Sequence, residues 1–191
     1  SAGDRYNLKT LTEVMDSAHC QLVADYVDGL QVGARNFQNF SLLKKIGEVT
    51  ADTHQMVLYK RGFAGTIAEW LAATDYITDH GNTNVVLCER GIRTFETATR
   101  FTLDIAAVPV IHKQSLYPVC IDVSHPAGQR DLVPSLAKAA VAAGADSLMI
   151  EVHPNPPVAL SDGPQQLTPA QFRELVAELR ELAAVLGKKI V

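Results

Sequence analysis

The chain has 191 residues, a length that predicts one domain. Apolar residue types make up 47% of it and charged types 20%, which indicates a globular protein with a sizeable core. With 17 Lys and Arg against 21 Asp and Glu, the net charge is −4, so the chain has no basic excess with which to coat a nucleic acid. No apolar run approaches the roughly 18 residues of a membrane span. We therefore expect neither a nucleic acid nor a membrane as partner.

The cysteines and the first residues bear on processing and compartment. Cys20, Cys88 and Cys120 are an odd number without paired spacing, which argues against a disulfide scaffold. We therefore predict a reducing compartment and a cytoplasmic location. Residues 1–3 include no initiator Met, and the residues that follow them do not have the pattern of a signal peptide. We interpret them as a processing or tag remnant and expect a single domain over residues 4–191.

Short apolar runs alternate with segments of helical period along the chain. The predicted strands are residues 8–14, 29–33, 55–60, 84–88, 118–122 and 147–152. Helical segments are predicted at 18–26, 38–49, 67–77, 132–143 and 168–187, and an apolar run at 103–111 follows the fourth strand. Thr66 with Glu69, and Thr168 with Gln171, have the spacing of a capping box at the start of a helix.

Repeated strand–helix units predict a parallel sheet with helices outside it. Two architectures fit such a pattern, an open doubly wound sheet and a (β/α) barrel. A complete barrel of eight units usually needs about 250 residues, and only about six units are visible here. No Gly-rich phosphate loop is present, which weakens a dinucleotide-binding interpretation. Every predicted strand ends in polar or charged residues, as in barrels, so we predict an α/β fold of the (β/α) barrel type that is incomplete.

Three cations follow three successive strands. Arg35, Lys60 and Arg90 each come at or just after a strand end. Convergent Arg and Lys side chains suit a ligand that carries a phosphate and a carboxylate, since a guanidinium can bind either with two hydrogen bonds. Three further arginines could join this group, or be solvated, or be paired with Glu89 and Glu96: Arg61, Arg93 and Arg100.

A second group lies near the ends of the last two strands. His125, Glu151 and Asp162 offer one imidazole and two carboxylates, a set that can hold a divalent metal of the Mn, Fe, Co or Zn type. Their wide spacing is not a motif by itself. His153 fits a structural hydrogen-bonding role as well as it fits a ligand.

Several segments resemble one enzyme family. They are GARNFQNF (33–40), KRG (60–62), CERGIRTFE (88–96), SHPAG (124–128), IEVHP (150–154) and LSDGP (160–164). These segments are similar to class I 3-deoxy-D-arabino-heptulosonate 7-phosphate (DAHP) synthases, a group related to 3-deoxy-manno-octulosonate 8-phosphate synthases. The resemblance extends from about Thr10 to the last helix.

The resemblance implies a (β/α)8 barrel and the condensation of phosphoenolpyruvate with erythrose 4-phosphate, which opens the shikimate pathway. It implies that Arg35 and Arg90 bind the phosphate of phosphoenolpyruvate, that Glu89 belongs to the substrate-binding set, and that Lys60 contacts the carboxylate side and serves in proton transfer. The implied metal ligands are His125, Glu151 and Asp162. Lys60 and His125 are the expected catalytic residues.

The sequence also departs from the family pattern. Neither the Gly-Pro-Cys motif, whose Cys is the family's fourth metal ligand, nor the Lys-Pro-Arg-Thr-Ser type of loop that binds the aldehyde occurs in it. Val123 stands where a Pro often precedes the Ser-His pair. The chain begins at what resembles the family's third strand. We expect a weakly bound divalent metal (Mn, Mg, Co, Fe or Zn), and a homo-oligomer or complementing chain that covers the open strand edges.

Three functions stay open at this point. The first is a DAHP synthase that is whole in the cell and is present here as a truncated or incomplete chain. The second is a natural short homologue with altered chemistry on a related enol or cyclic carboxylate in secondary metabolism. The third is a non-catalytic relative that binds a ligand or a partner chain. The retained cations favour phosphoenolpyruvate, or a similar small carboxylate, as the ligand in all three cases.

Overall fold

A computed structural model describes residues 2–190. They fall into two compact units that meet in the chain between Cys88 and Glu89, and each unit is described by itself. Part of the predicted remnant, Ser1, and the last residue, Val191, lie outside the described residues. The rest of the remnant, Ala2 and Gly3, belongs to helix α1 (Ala2–Tyr6).

The first unit is a set of parallel strands that pair in chain order. The strands are β1 (Leu11–Glu13), β2 (Gly29–Val32), β3 (Met56–Lys60) and β4 (Val85–Glu89). The helices between them are α2 (Cys20–Ala24), α3 (Phe40–Thr50) and α4 (Ile67–Thr78). All four strands were predicted, and β2 and β3 are almost entirely buried, as parallel strands covered by helices should be.

The first strand is shorter than predicted. Only three residues of the predicted 8–14 are extended and paired, and two of them are exposed. The residues before β1 are held by the side chain of Asp28 instead. Its carboxylate accepts from Lys9 Nζ at 2.8 Å and from the Thr10 backbone N–H at 2.8 Å. The hydrogen bond from Lys9, with those from Thr10, lowers the pKa of Asp28 to about 2.

The second unit contains two parallel strands and four helices. The strands are β5 (Val119–Asp122) and β6 (Ser147–Met149), with Ile121 opposite Leu148. The helices are α5 (Ala107–Gln114), α6 (Ser124–Ala127), α7 (Val133–Ala143) and α8 (Pro169–Val185). The sixth strand was predicted to continue to residue 152, and it ends three residues earlier. Beyond it, Val152 pairs with Leu167 in a single parallel bridge.

Both predicted capping boxes are present. Thr66 and Glu69 exchange hydrogen bonds at the start of α4, and Thr168 and Gln171 do the same at the start of α8. Each box satisfies backbone N–H groups that have no partner within the helix. The three cysteines are buried thiols. Among residues 2–190, no helix combines the length and the apolar character that crossing a membrane requires.

Candidate metal and ligand site

The turn after β5 is organised by a buried carboxylate. Asp122, the last residue of β5, is fully buried. Its Oδ1 accepts hydrogen bonds from the backbone N–H groups of Ser124 at 3.2 Å and His125 at 3.1 Å. The carboxylate therefore stabilises the first turn of α6, where two N–H groups have no partner within the helix. This fixes the backbone from which His125 projects.

The same carboxylate orients the imidazole. His125 Nδ1 lies 2.7 Å from Asp122 Oδ2. Because an ionised carboxylate can only accept, Nδ1 donates this hydrogen bond and Nε2 faces the other way. His125 Nε2 lies 3.9 Å from Glu151 Oε1 and 3.9 Å from Asp162 Oδ2. A carboxylate behind a histidine is the arrangement that holds metal-ligating imidazoles in place.

Glu151 reaches the site from the segment after β6. Its backbone N–H donates to the Ser124 hydroxyl at 2.9 Å, and its carbonyl accepts from the Leu167 N–H at 2.9 Å. These two bonds tie the residue to α6 on one side and to the residues before α8 on the other. Glu151 therefore projects from a segment that is held at both of its backbone groups.

Asp162 comes from the loop between residues 154 and 167. It has φ 55°, in the left-handed region that Asp tolerates better than most residues, and it precedes a 3-10 helix (Gly163–Gln165). Arg130, which lies just before α7, holds this loop by two hydrogen bonds. Its Nε donates to the Gln166 carbonyl at 2.5 Å, and its Nη2 donates to the Gly163 carbonyl at 3.2 Å. The turn aims the Asp162 carboxylate toward His125.

The structure thus brings together the three residues that the sequence placed in one group. One ligand atom from each of His125, Glu151 and Asp162 lies within 4.8 Å of the others. Their side chains are 19%, 24% and 26% exposed, so the group is half-buried yet open to solvent. One nitrogen and two carboxylate oxygens match the preferences of first-row divalent metals. The donor set therefore fits a divalent metal, and no thiolate belongs to the group among the described residues.

Two further side chains touch these carboxylates, and sequence reasoning did not assign them. Arg100 Nη1 donates to Asp162 Oδ1 at 2.6 Å and to Gln165 Oε1 at 2.9 Å. Gln165 Nε2 donates in turn to Glu151 Oε2. Arg100 thus pairs with Asp162, while Glu96 Oε1 accepts from the backbone of Thr97 and Ala98 at 2.7 Å each. Nothing in the sequence signals a contact between residues 62 positions apart.

The predicted cations of the first unit lie at strand ends. Arg35 is in a 3-10 helix (Ala34–Asn36) directly after β2, with its guanidinium carbon 5.9 Å from the centre of the Phe63 ring. Lys60 is the last residue of β3 and is only 6% exposed. Arg61 is equally buried, and its Nε donates to the Gly65 carbonyl at 2.8 Å. This hydrogen bond ties Arg61 to the loop that follows β3.

The second unit begins with the other predicted ligand-binding pair. Glu89, at the end of β4, is fully buried, and its Oε1 accepts from the Gly91 N–H at 2.6 Å. Arg90 is 4% exposed, with its guanidinium 4.1 Å from the centre of the Phe101 ring. A guanidinium so little exposed is costly unless anionic or aromatic groups surround it, and the Phe101 ring is one such group. The Nδ1 of His153 accepts a local hydrogen bond from the Asn155 N–H at 3.0 Å.

The chain has parallel strands joined by helices, and a group of His, Glu and Asp side chains lies just after the last two strands. This is the arrangement of an α/β protein whose site is at the carboxyl ends of its strands. The model of the DAHP synthetase I family matches residues 1–186, and the chain belongs to that family.

Individual relatives agree with this assignment. The chain is 51% identical over 189 residues to the phospho-2-dehydro-3-deoxyheptonate aldolase of Thermotoga maritima, covering 99% of this chain and 55% of that protein. It is 36% identical to a 2-dehydro-3-deoxyphosphooctonate aldolase of Caulobacter vibrioides, covering 90% of this chain and 61% of that one. The chain therefore spans between half and two thirds of the length of these relatives.

Solved structures establish the fold class. The crystal structure of the Thermotoga maritima phospho-2-dehydro-3-deoxyheptonate aldolase (DAHP synthase) matches with a TM-score of 0.95 at 50% identity, over 100% of this chain and 55% of that chain. A truncated form of the same organism's synthase matches with the same score over 71% of its length. The predicted α/β fold, a (β/α) barrel type that is incomplete, is confirmed, and the open doubly wound sheet is not the fold.

Proposed function

We propose that this chain carries the phosphoenolpyruvate-binding and metal-binding part of a DAHP synthase. The reaction condenses phosphoenolpyruvate with erythrose 4-phosphate in the shikimate pathway. The observation that carries the proposal is the convergence of His125, Glu151 and Asp162 on one point, with Asp122 orienting the imidazole. Membership of the DAHP synthetase I family supports the choice of substrates.

The substrate-binding roles follow from charge and burial. We assign the phosphate of phosphoenolpyruvate to Arg35 and Arg90, and its carboxylate side to Lys60. Arg90 and Lys60 are more than nine-tenths buried, so an anion that reaches them is poorly screened by water and strongly attracted. Glu89 belongs to the same set, because its buried carboxylate directly precedes Arg90 and accepts from the Gly91 N–H.

The metal is proposed to be a divalent cation held by His125, Glu151 and Asp162. When bound, such a cation supplies Lewis-acid polarisation of a carbonyl oxygen. Two carboxylates and one imidazole without a thiolate suit Mn or Mg with extra waters better than Zn or Fe, for which sulfur is the preferred ligand. We therefore propose weak and exchangeable binding. His125 is counted as catalytic because it supplies the only nitrogen of this donor set.

The proposed chemistry needs a proton donor at the aldehyde oxygen, which becomes a hydroxyl when the enol carbon of phosphoenolpyruvate attacks the aldehyde. In the condensation, that carbon bonds to the aldehyde carbon of erythrose 4-phosphate, water adds to the phosphorylated carbon, and phosphate leaves. Lys60 is the proposed proton-transfer residue, since its ammonium group carries exchangeable protons and lies at the carboxyl end of β3. The Lys60 side chain is thus proposed both to transfer a proton and to contact the carboxylate side of phosphoenolpyruvate.

A binding and turnover experiment tests the proposal. We expect isothermal calorimetry to detect phosphoenolpyruvate binding that strengthens when Mn²⁺ is present. A phosphate-release assay with erythrose 4-phosphate and Mn²⁺ should show little turnover, because the metal is weakly held and the sequence has no Lys-Pro-Arg-Thr-Ser loop for the aldehyde. Absence of phosphoenolpyruvate binding with and without Mn²⁺ would contradict the proposal. Phosphoenolpyruvate binding that Mn²⁺ leaves unchanged, with no turnover on any aldose phosphate, would support the non-catalytic ligand-binding relative instead.

We also propose that the chain associates with a second copy or a complementing chain. In the first unit, β1 pairs with β2 on one edge only, and two of its three residues are exposed. Apolar side chains around it are exposed as well: Tyr6 64%, Leu8 65% and Met15 71%. We expect light scattering to give a mass well above the 20.7 kDa of one chain. A mass of one chain at micromolar concentration would refute the association.

The free thiols of the three cysteines are the basis for a proposal about the cellular compartment. All three thiols are buried, at Cys20, Cys88 and Cys120. Thiols persist in reducing compartments, where disulfides are rare. We therefore propose a cytoplasmic location, as the odd number of cysteines predicts.

A further inference from the structure

A continuous set of hydrogen bonds joins the two carboxylates of the metal site from behind. Arg100 Nη1 donates both to Asp162 Oδ1 at 2.6 Å and to Gln165 Oε1 at 2.9 Å. Gln165 Nε2 then donates to Glu151 Oε2. We call Arg100 and Gln165 the carboxylate clamp, since together they contact both carboxylates of the metal site.

The direction of every bond in the clamp is determined. A guanidinium can only donate, so the Gln165 atom that faces Arg100 is the carbonyl oxygen. The amide nitrogen of Gln165 must then face Glu151, whose ionised carboxylate can only accept. Gln165 is 2% exposed, so its amide has no access to bulk water as an alternative partner. Arg100 therefore fixes the orientation of Gln165, and Gln165 fixes that of Glu151.

The clamp uses one oxygen of each carboxylate and leaves the other toward the metal position. The oxygens in use are Asp162 Oδ1 and Glu151 Oε2. The remaining oxygens, Asp162 Oδ2 and Glu151 Oε1, are those that lie 3.9 Å from His125 Nε2. Each acid is thus arranged to give one oxygen to a cation. A cation that bound through both oxygens would have to share Asp162 Oδ1 with Arg100 and Glu151 Oε2 with Gln165, which weakens such binding.

We propose that the carboxylate clamp makes both acids monodentate and thereby selects small divalent metals, such as Mn²⁺, against Ca²⁺. Ca²⁺ takes six to eight oxygen ligands and commonly binds carboxylates through both oxygens. Smaller first-row divalent metals take fewer ligands and accept one oxygen from each acid together with an imidazole. Arg100 and Gln165 are therefore positioning residues that act through Asp162 and Glu151. The inference rests on the proposed metal function.

The effect of charge on metal binding can be separated from the effect of geometry, because Arg100 is charged and Gln165 is neutral. Arg100 places a positive charge next to the site, so removing it changes both the geometry and the attraction for any cation. Gln165 is neutral, so its removal changes the geometry alone. A change in selectivity on replacing Gln165 therefore reports positioning. A change of equal size for both metals would report a general loss of structure.

The test measures Mn²⁺ and Ca²⁺ affinities of the whole chain by equilibrium dialysis. We expect Gln165→Leu to weaken Mn²⁺ binding by about 10–100-fold, the usual effect of losing a residue that orients a metal ligand. Ca²⁺ binding should weaken less or improve, so the ratio of the two affinities falls. Gln166→Leu is the matched control, since Gln166 is its buried neighbour and its Nε2 donates to the Ser161 carbonyl at 3.0 Å. It should leave the ratio unchanged.

Two arginine variants give a second route if Gln165→Leu does not fold. Arg100→Met removes the donor that fixes the Gln165 amide and should lower the Mn²⁺ to Ca²⁺ ratio in the same direction. Arg100→Lys can still donate to both oxygens and should retain most of the selectivity. Equal affinity changes for both metals, or no change in the variants, would overturn the clamp proposal alone. Failure of the unaltered chain to bind Mn²⁺ would overturn the proposed metal function and the clamp with it.

Discussion

Replacing His125 with Ala is expected to lower the affinity of the chain for Mn²⁺ by more than about 100-fold. His125 supplies the only nitrogen of the proposed donor set, and its Nε2 lies between the two carboxylates. Loss of a residue that merely orients a ligand costs about 10–100-fold, so loss of the ligand itself should cost more. The measurement is the free Mn²⁺ signal in electron paramagnetic resonance during titration.

His153→Ala is the control for the histidine substitution. His153 lies two residues after Glu151, and its Nδ1 accepts from the Asn155 backbone at 3.0 Å. It should bind Mn²⁺ as the unaltered chain does. Because His125→Ala leaves the buried Asp122 without its imidazole partner, melting curves without metal must accompany the titration. Unchanged Mn²⁺ affinity in a folded His125→Ala variant would show that this group is not the metal site.

Replacing Arg90 with Ala is expected to weaken phosphoenolpyruvate binding by about 2–5 kcal/mol, the usual cost of removing one partner of a buried charge pair. The guanidinium is 4% exposed, so water can replace it only poorly as a partner for a phosphate. Arg90→Lys keeps the positive charge but lacks the planar guanidinium group. Its affinity for phosphoenolpyruvate should therefore lie between those of the unaltered chain and Arg90→Ala. Calorimetry with phosphoenolpyruvate measures all three proteins.

The control for Arg90 is the exposed Arg93, three residues further along the same segment. Arg93→Ala should leave the affinity for phosphoenolpyruvate unchanged. Arg90 also stacks on Phe101, so the variants need melting curves to show that the second unit is intact. Equal affinity in the unaltered chain and in a folded Arg90→Ala variant would remove Arg90 from the proposed binding set.

Local structure was predictable where a few neighbouring residues determine it. The capping boxes at Thr66 and Thr168 were read from residues three positions apart, and both are present. Predictions were less accurate where pairing and burial decide the length of a strand. The first strand is reduced to Leu11–Glu13, and the sixth ends at Met149, because an extended run becomes a strand only where a neighbour supplies hydrogen bonds.

The candidate site shows the same division. His125, Glu151 and Asp162 were grouped because each follows one of the last two strands, and the carboxyl ends of parallel strands meet at one edge. Asp122 appeared in the sequence only as a polar residue at a strand end, and its support of the imidazole became visible in the structure. The sequence left Arg100 open as a member of the cation group or as a solvated or paired residue, and the structure pairs it with Asp162.

By itself, the sequence determined the family, the order of strands and helices, and the residue types available for a phosphate, a carboxylate and a divalent metal. These properties depend on residue identity and on periodicity over short stretches of chain. Tertiary structure alone decided which oxygen of each acid faces His125 and which is held by Arg100 or Gln165. Hydrogen bonds are directional and short, and the loop that carries Asp162 and Gln165 is distant in sequence from Arg100. Only the folded chain brings these groups within the 3.5 Å or so that a hydrogen bond requires.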